Sequence, residues 1–164
     1  MLLDDALRAT EVVRSLGGPI VDVGSGGGSP GVPLAAVLPD RDVTLLESVR
    51  RKCDFLEQWA PPNARVVWGR AEEQESDVYG VALAKALAQP ATAVEWCLPL
   101  LRPGGVAVLW LGPNADLEGL ARVSERVGGG PPEERDGLVV VPKLVPTPAG
   151  FPRRPGVAKK RPLA

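Results

Sequence analysis

The 164-residue chain is 45% hydrophobic but only 4% aromatic, which predicts one compact domain with an aliphatic core. It has no histidine, and its two cysteines, Cys53 and Cys97, lack CxxC spacing, so a zinc site is excluded and both thiols read as small core residues. All 20 acids and 13 of the 19 bases lie within residues 1–136, a balance of −7.

The opening residues carry acids where a secretory signal carries bases. No apolar run approaches the length of a membrane span. The chain therefore reads as cytoplasmic, with neither a membrane nor a metal among its expected partners. Leu3, Ala6, Leu7, Ala9, Val12, Val13 and Leu16 recur at helical spacing, and this predicts one N-terminal helix within residues 1–18, stopped by Gly17-Gly18-Pro19. "PIVDVG" is a short apolar strand, 31–38 a helix ended by Pro39, and "DVTLLES" a second strand of the kind buried on both faces. "VRRKCDFLEQWA" is a helix with Val49, Cys53, Leu56 and Ala60 on one face. "ARVVWG" and "GVALAKA" follow as strands, then "QPATAVEWCLPLL" as a helix and "GGVAVLWLG" as a fifth strand. "NADLEGLARVSERV" is a helix N-capped by Asn114. "GGGPPEERD" reads as a loop with no room for a strand, and "DGLVVVPKLV" as the last strand, where Pro142 suits an edge or a bulge. The alternation predicts an α/β fold with a doubly wound, mostly parallel sheet of six to seven strands.

After Asp136 come six bases and no acid: Lys143, Arg153, Arg154, Lys159, Lys160 and Arg161. They make either a handle for a polyanion or a solvated, half-ordered terminus. Trp59, Trp68, Trp96 and Trp110 fall within predicted elements and read as core. Arg50, Arg51 and Lys52 begin a helix, where positive charge opposes the dipole. That suggests an external anion such as RNA phosphate, or pairing with Asp54 or Glu57.

The stretch "VDVGSGGGSPGVPLA" carries the chemistry. Gly27-Gly28-Ser29-Pro30-Gly31 matches the G-x-S-x-G elbow of a nucleophilic serine, but no histidine is present to activate Ser29. There is no G-K-[ST] for a phosphate loop, and G-x-G-x-x-G fits only in degenerate form. D-x-G-x-G-x-G (Asp22, Gly24, Gly26, Gly28) uses more of the residues. Its glycines allow backbone to approach a ligand closely. Glu47, 23 residues beyond Gly24, falls about one βαβ step on, where a carboxylate meets ribose hydroxyls. An amino-acid-bearing nucleoside without a diphosphate, S-adenosylmethionine, suits this turn. The alternative is a tight turn beside an ordinary surface glutamate.

"DVGSGGGSPGVPLA", "LLESVRRKCDFLE", "GRAEE" and the tail "KLVPTPAGFPRRPGVAKKRPL", in that order, resemble the bacterial small-subunit ribosomal RNA guanine-N7 methyltransferases, once called glucose-inhibited division protein B. The resemblance implies a Rossmann-like class I methyltransferase sheet with S-adenosylmethionine as cofactor and ribosomal RNA, or the small ribosomal subunit, as partner. It places Gly24, Gly26 and Gly28 in the cofactor loop with Asp22 and Ser25, Glu47 on the ribose with Ser48 beside it, and Ala71 and Glu72 flanking the adenine. Lys85 stands where the family has arginine and is the expected substrate-positioning residue, with Arg153 and Arg154 contacting RNA. Three departures accompany these matches. The N-terminal helical region is short, Leu111-Gly112 replaces a Lys-Gly, and 127–138 is too short for the family's sixth strand and turn. A relative that binds cofactor or RNA without transferring a methyl group, or a small-molecule methyltransferase, therefore stays open.

Overall fold

Ile20–Val23 is buried along its whole length, as a strand covered on both faces must be. In the computed structural model, which describes residues 2–163, this strand (β1) lies inside a seven-stranded sheet, third from one edge. Met1 and Ala164, the ends of the predicted N-terminal helix and of the basic tail, lie outside the described residues. The other strands are β2 (Val43–Glu47), β3 (Ala64–Trp68), β4 (Tyr79–Lys85), β5 (Leu101–Trp110), β6 (Glu133–Arg135) and β7 (Leu138–Pro142). Their order is β3-β2-β1-β4-β5-β7-β6. β7 pairs antiparallel with both β5 and β6, so it alone runs against the others.

Side chains alternate between two layers, as the two-residue period of a strand requires. Ile20, Leu45, Val81, Leu83, Val108 and Val140 face a layer built with α2 (Thr10–Ser15), α3 (Gly31–Val37) and α4 (Arg50–Trp59). Val21, Val23, Ala82, Ala84, Leu109 and Val141 face α5 (Pro90–Cys97) and α6 (Leu117–Arg126). Cys53 and Cys97 are free and buried, and burial pushes both thiols up, Cys97 to about 12.

The fold departs from expectation at five places. The N-terminal helix is two: α1 (Leu2–Leu7) and α2 are separated at Arg8-Ala9, where the Thr10 hydroxyl donates to the Leu7 carbonyl at 2.6 Å and competes with the helical ladder. The cap of α6 is Asp116, which accepts from the Gly119 amide at 2.9 Å, rather than Asn114. The interval read as strandless holds β6, reached through a two-residue turn with Asp136 at φ 54° and Gly137 at φ 75°. Asp-Gly is the dipeptide such a hairpin favours. β6 is exposed and charged throughout, which blunts the sheet edge. Pro142 is not on an edge strand: it ends β7, past the last residue that β6 reaches, so its missing N–H breaks no bond on that side. Finally, Trp59 and Trp68 are 64% and 60% exposed instead of core.

The tail is also ordered, and two buried ions hold it. The Lys143 ammonium donates to Asp77 Oδ1 (3.0 Å), to the Leu98 and Leu101 carbonyls (2.7 and 2.8 Å) and to the Thr147 hydroxyl (2.9 Å). Burial pushes Lys143 below its ordinary range, against the Asp77 carboxylate, so this base is no part of a surface handle. Farther on, the Arg153 guanidinium grips both oxygens of buried Glu95 on α5 and donates to the Arg161 carbonyl at 2.8 Å. Arg153 is thus a clamp between tail and α5, not a free RNA contact. Arg154 beside it is exposed. The chain then forms α7 (Val157–Lys160), with Ala158 and Leu163 buried.

Candidate functional site

At the C-terminal ends of β1, β2 and β4 the strands open into a cavity of about 740 Å³. This is the edge of a doubly wound sheet where ligands bind. The loop after β1 forms its floor. Gly24 and Ser25 donate to the Leu46 carbonyl at 2.8 and 3.0 Å, which pins the loop to β2. Gly24 has φ +70°, a conformation that strains any side chain, and a Cβ there would also have to displace Leu87 Cδ1 from 2.3 Å.

Glu47, the last residue of β2, is buried yet lines the cavity. Its Oε2 accepts the Gly26 amide at 2.7 Å and its Oε1 accepts the Val49 amide at 2.9 Å. One carboxylate thereby fixes both the glycine loop and the start of α4. Each oxygen keeps a further lone pair.

Asp22 is placed otherwise than expected. It is 1% exposed, sits behind the loop outside the cavity wall, and accepts the Gly31 amide through Oδ2 at 3.0 Å. A Cβ on Gly31 would lie 2.5 Å from that oxygen, so glycine there is what lets the carboxylate reach the backbone. Burial pushes the Asp22 carboxyl up to about 7, opposed by hydrogen bonds from Ser25 and Gly31 and reinforced by Glu47. Gly28 also turns away: at φ +100° it packs toward Val32 and Leu56 instead of the cavity. Asp22 and Gly28 therefore shape the turn and lie outside the cavity lining.

The raised Asp22 has a consequence for stability. An unfolded aspartate ionises near 3.8 and the folded one near 7. Folding takes up a proton between those values, so this contribution is full below about pH 4 and declines as pH rises through about 7. Asp22→Asn removes the slope. Urea midpoints at about pH 5 and about pH 8 should show wild type losing ground to Asp22→Asn at the higher pH. Parallel profiles would contradict the burial of an acid.

Gly24, Ser25, Gly26, Glu47, Ser48, Ala71, Glu72 and Lys85 all line the cavity. Leu46, Leu87 and Trp96 add apolar wall. Among the described residues, three buried side-chain polar atoms lack a hydrogen-bond partner: Ser29 Oγ, Lys85 Nζ and Trp96 Nε1. All three residues line this cavity. Buried polar groups are normally satisfied, and since Lys85 is paired with a carboxylate, the two left without any partner, Ser29 Oγ and Trp96 Nε1, mark this hollow as a ligand site. Lys85 Nζ lies 2.6 Å from Asp5 Oδ2 as an ion pair, without the alignment of a hydrogen bond. That contact, chiefly, holds the Asp5 carboxyl below the usual carboxylate range.

A family model described as rRNA small subunit methyltransferase G matches residues 1–125. A protein of that name from Pelotomaculum thermopropionicum is 37% identical over 168 residues, covering 90% of this chain and 70% of the relative. Its namesake from Roseiflexus castenholzii is 37% identical over 179 residues, covering 97% of this chain and 76% of the relative. The chain belongs to this methyltransferase family. The T. thermophilus 16S rRNA methyltransferase solved with AdoMet and guanosine superposes with a TM-score of 0.65 at 18% identity, over 90% of this chain and 40% of that one. At that identity the likeness establishes the class I methyltransferase fold.

The tail is the family signature's unexpected part. Gly156, Lys159 and Lys160 line the cavity, and the Gly156 amide donates to Glu72 Oε1 at 3.1 Å. The segment that reads in the sequence as either a polyanion handle or a solvated terminus contributes a wall of the site. Lys52, Arg70 and Trp96 also went unassigned to the cofactor cavity, although all three line it. Among the described residues there is no group of three or more metal-ligating side chains, and no helix is long and apolar enough to cross a membrane.

Proposed function

We propose that the chain transfers a methyl group from S-adenosylmethionine to N7 of a guanine in small-subunit ribosomal RNA. The observation that carries this reading is the cavity walled by the glycine loop, the Glu47 carboxylate and two unpartnered polar atoms, Ser29 Oγ and Trp96 Nε1, in a member of this family. The residues fit the cofactor. Glu47 presents lone pairs for vicinal ribose hydroxyls, the loop presents backbone at Gly24 and Gly26, and Leu46 with Ala71 forms an apolar slot suited to adenine. Gly24, Ser25, Gly26, Glu47, Ser48, Ala71 and Glu72 would hold it, while Asp22 and Gly28 maintain the loop behind.

When bound, the cofactor supplies an electrophilic methyl group on a sulfonium. Guanine N7 is a lone pair with no proton to remove, so the chain needs no general base, and its lack of histidine is no obstacle. What its residues must do is position and exclude water. Lys85 carries the donor suited to the guanine edge, where N7 and O6 both accept. Its ammonium is withdrawn from solvent and paired with Asp5 on α1, so α1 sets where that charge points. Arg154, Lys159, Lys160 and Arg161 supply exposed cations for RNA phosphate.

One observation favours a second reading, cofactor binding without transfer: the Lys85 charge is already engaged by Asp5. Tritiated S-adenosylmethionine incubated with stripped 30S subunits separates the two. The proposal predicts label in ribosomal RNA, recovered as N7-methylguanine after digestion. Cofactor binding with no label in RNA would overturn it in favour of the second reading.

A further inference from the structure

Three of the chain's seven aromatic residues are exposed: Phe55 and Trp59 on α4, and Trp68 at the end of β3. Phe55 is 47% exposed, and its ring lies 6.4 Å, centroid to centroid, from that of Trp59. Arg51, Phe55 and Trp59 recur every four residues and so share one stripe of α4. In front of the stripe lies a second hollow of about 390 Å³, walled by Gly26, Gly27, Arg51, Lys52 and Phe55. Gly26, Gly27 and Lys52 also line the main cavity, so the two hollows adjoin along these residues. A Cβ at Gly27 would meet nothing within 4 Å, which leaves that stretch of the second groove clear. Arg50 is taken up by Asp54 and the face of Trp68. Among the described residues neither Arg51 nor Lys52 has an ion-pair partner.

We propose that this groove seats a single-stranded nucleotide flanking the target, with its base stacked on Phe55 and its phosphate met by Arg51 and Lys52. The inference rests on the reading that the main cavity accepts a base from RNA. A base entering there carries its neighbours across the cavity mouth, and the groove adjoining the cavity offers an aromatic face with two free cations. Aromatic surface interleaved with cations is how proteins hold unpaired strands without reading sequence.

Fluorescence anisotropy with a labelled single-stranded RNA of about 12 nucleotides, at low salt, tests the groove without requiring methyl transfer. Phe55→Ala should weaken binding about tenfold, Phe55→Tyr should restore it, and Phe55→Leu should not. Arg51→Ala should lower the salt slope by about one. All four variants alter exposed side chains, so S-adenosylmethionine affinity and melting temperature should match wild type. Unchanged RNA affinity in Phe55→Ala would overturn the proposal. So would rescue by Phe55→Leu as complete as by Phe55→Tyr, since the contact with RNA would then be apolar packing and not base stacking. An enzyme silent toward 30S subunits but sensitive to Phe55→Ala in anisotropy would sink the methylation reading alone, whereas an active enzyme indifferent to Phe55 would sink the groove alone.

Discussion

Arg153→Ala is expected to cost about 3–5 kcal/mol of folding stability, the range for stranding one partner of a buried ion pair. Glu95 is 1% exposed, and its charge is compensated by the Arg153 guanidinium, which grips both oxygens. Once the guanidinium is removed, the carboxylate stays in the protein interior uncompensated. The same substitution frees the Arg161 carbonyl from its partner and loosens a tail that walls the cavity through Gly156, Lys159 and Lys160. A fall in melting temperature of roughly 10 °C follows for a chain of this size. Arg154→Ala, at the exposed neighbour, should stay within about 0.5 kcal/mol of wild type. Glu95→Leu combined with Arg153→Leu should recover much of the loss, because no lone charge is then left buried. Thermal melts of these variants check the account, and an Arg153→Ala protein as stable as Arg154→Ala would contradict it. The adjacent arginines of the PRR motif thus differ: the first fastens the tail, and the second is exposed.

Glu47→Ala should lower S-adenosylmethionine affinity about 100-fold or more in calorimetric titration. Two hydrogen bonds from ribose hydroxyls to a carboxylate are worth about 1.5–3 kcal/mol each. The substitution also leaves the Gly26 and Val49 amides without their acceptor, so the loop and the start of α4 lose a common tie. Glu47→Gln keeps the shape but faces one of those N–H donors with an amide NH2, and should fall between alanine and wild type. Glu73→Ala alters an exposed acid nearby, outside the cavity wall, and should bind as wild type does. Equal affinity in Glu47→Ala and Glu73→Ala would remove Glu47 from the site.

The sheet was legible because a parallel sheet covered on both faces has few solutions. "PIVDVG", "DVTLLES" and "GVALAKA" are apolar runs between helical patterns, and they occupy β1, β2 and β4. The hairpin of β6 has its signal in Asp136-Gly137, but three exposed, charged residues carry no apolar alternation to mark a strand. Residue type and spacing also picked out the glycine loop and Glu47 that line the cavity, since both follow from strand ends one βαβ step apart. What spacing does not carry is which way a short loop faces. Asp22 and Gly28 match the motif as well as Gly24 and Gly26 do, yet the turn directs them at Gly31, Val32 and Leu56.

Burial of charge was the other hidden quantity. Lys143 and Arg153 count as tail bases in the sequence, and only the fold shows Asp77 and Glu95 waiting for them, 66 and 58 residues away. Such pairs join charged residues far apart in the chain with no local pattern. Trp59 and Trp68 failed for the converse reason. Large apolar side chains on a helix or edge strand read as core, while here one face of α4 is left outside.

The account stands or falls on what fills the glycine-floored hollow. A crystal structure with S-adenosylhomocysteine tests this most directly. It should show the ribose hydroxyls on the Glu47 carboxylate, the adenine between Leu46 and Ala71, and the amino-acid end over the loop at Gly24 and Gly26. Ligand density elsewhere, or a ribose beyond reach of Glu47 in a filled cavity, would contradict it.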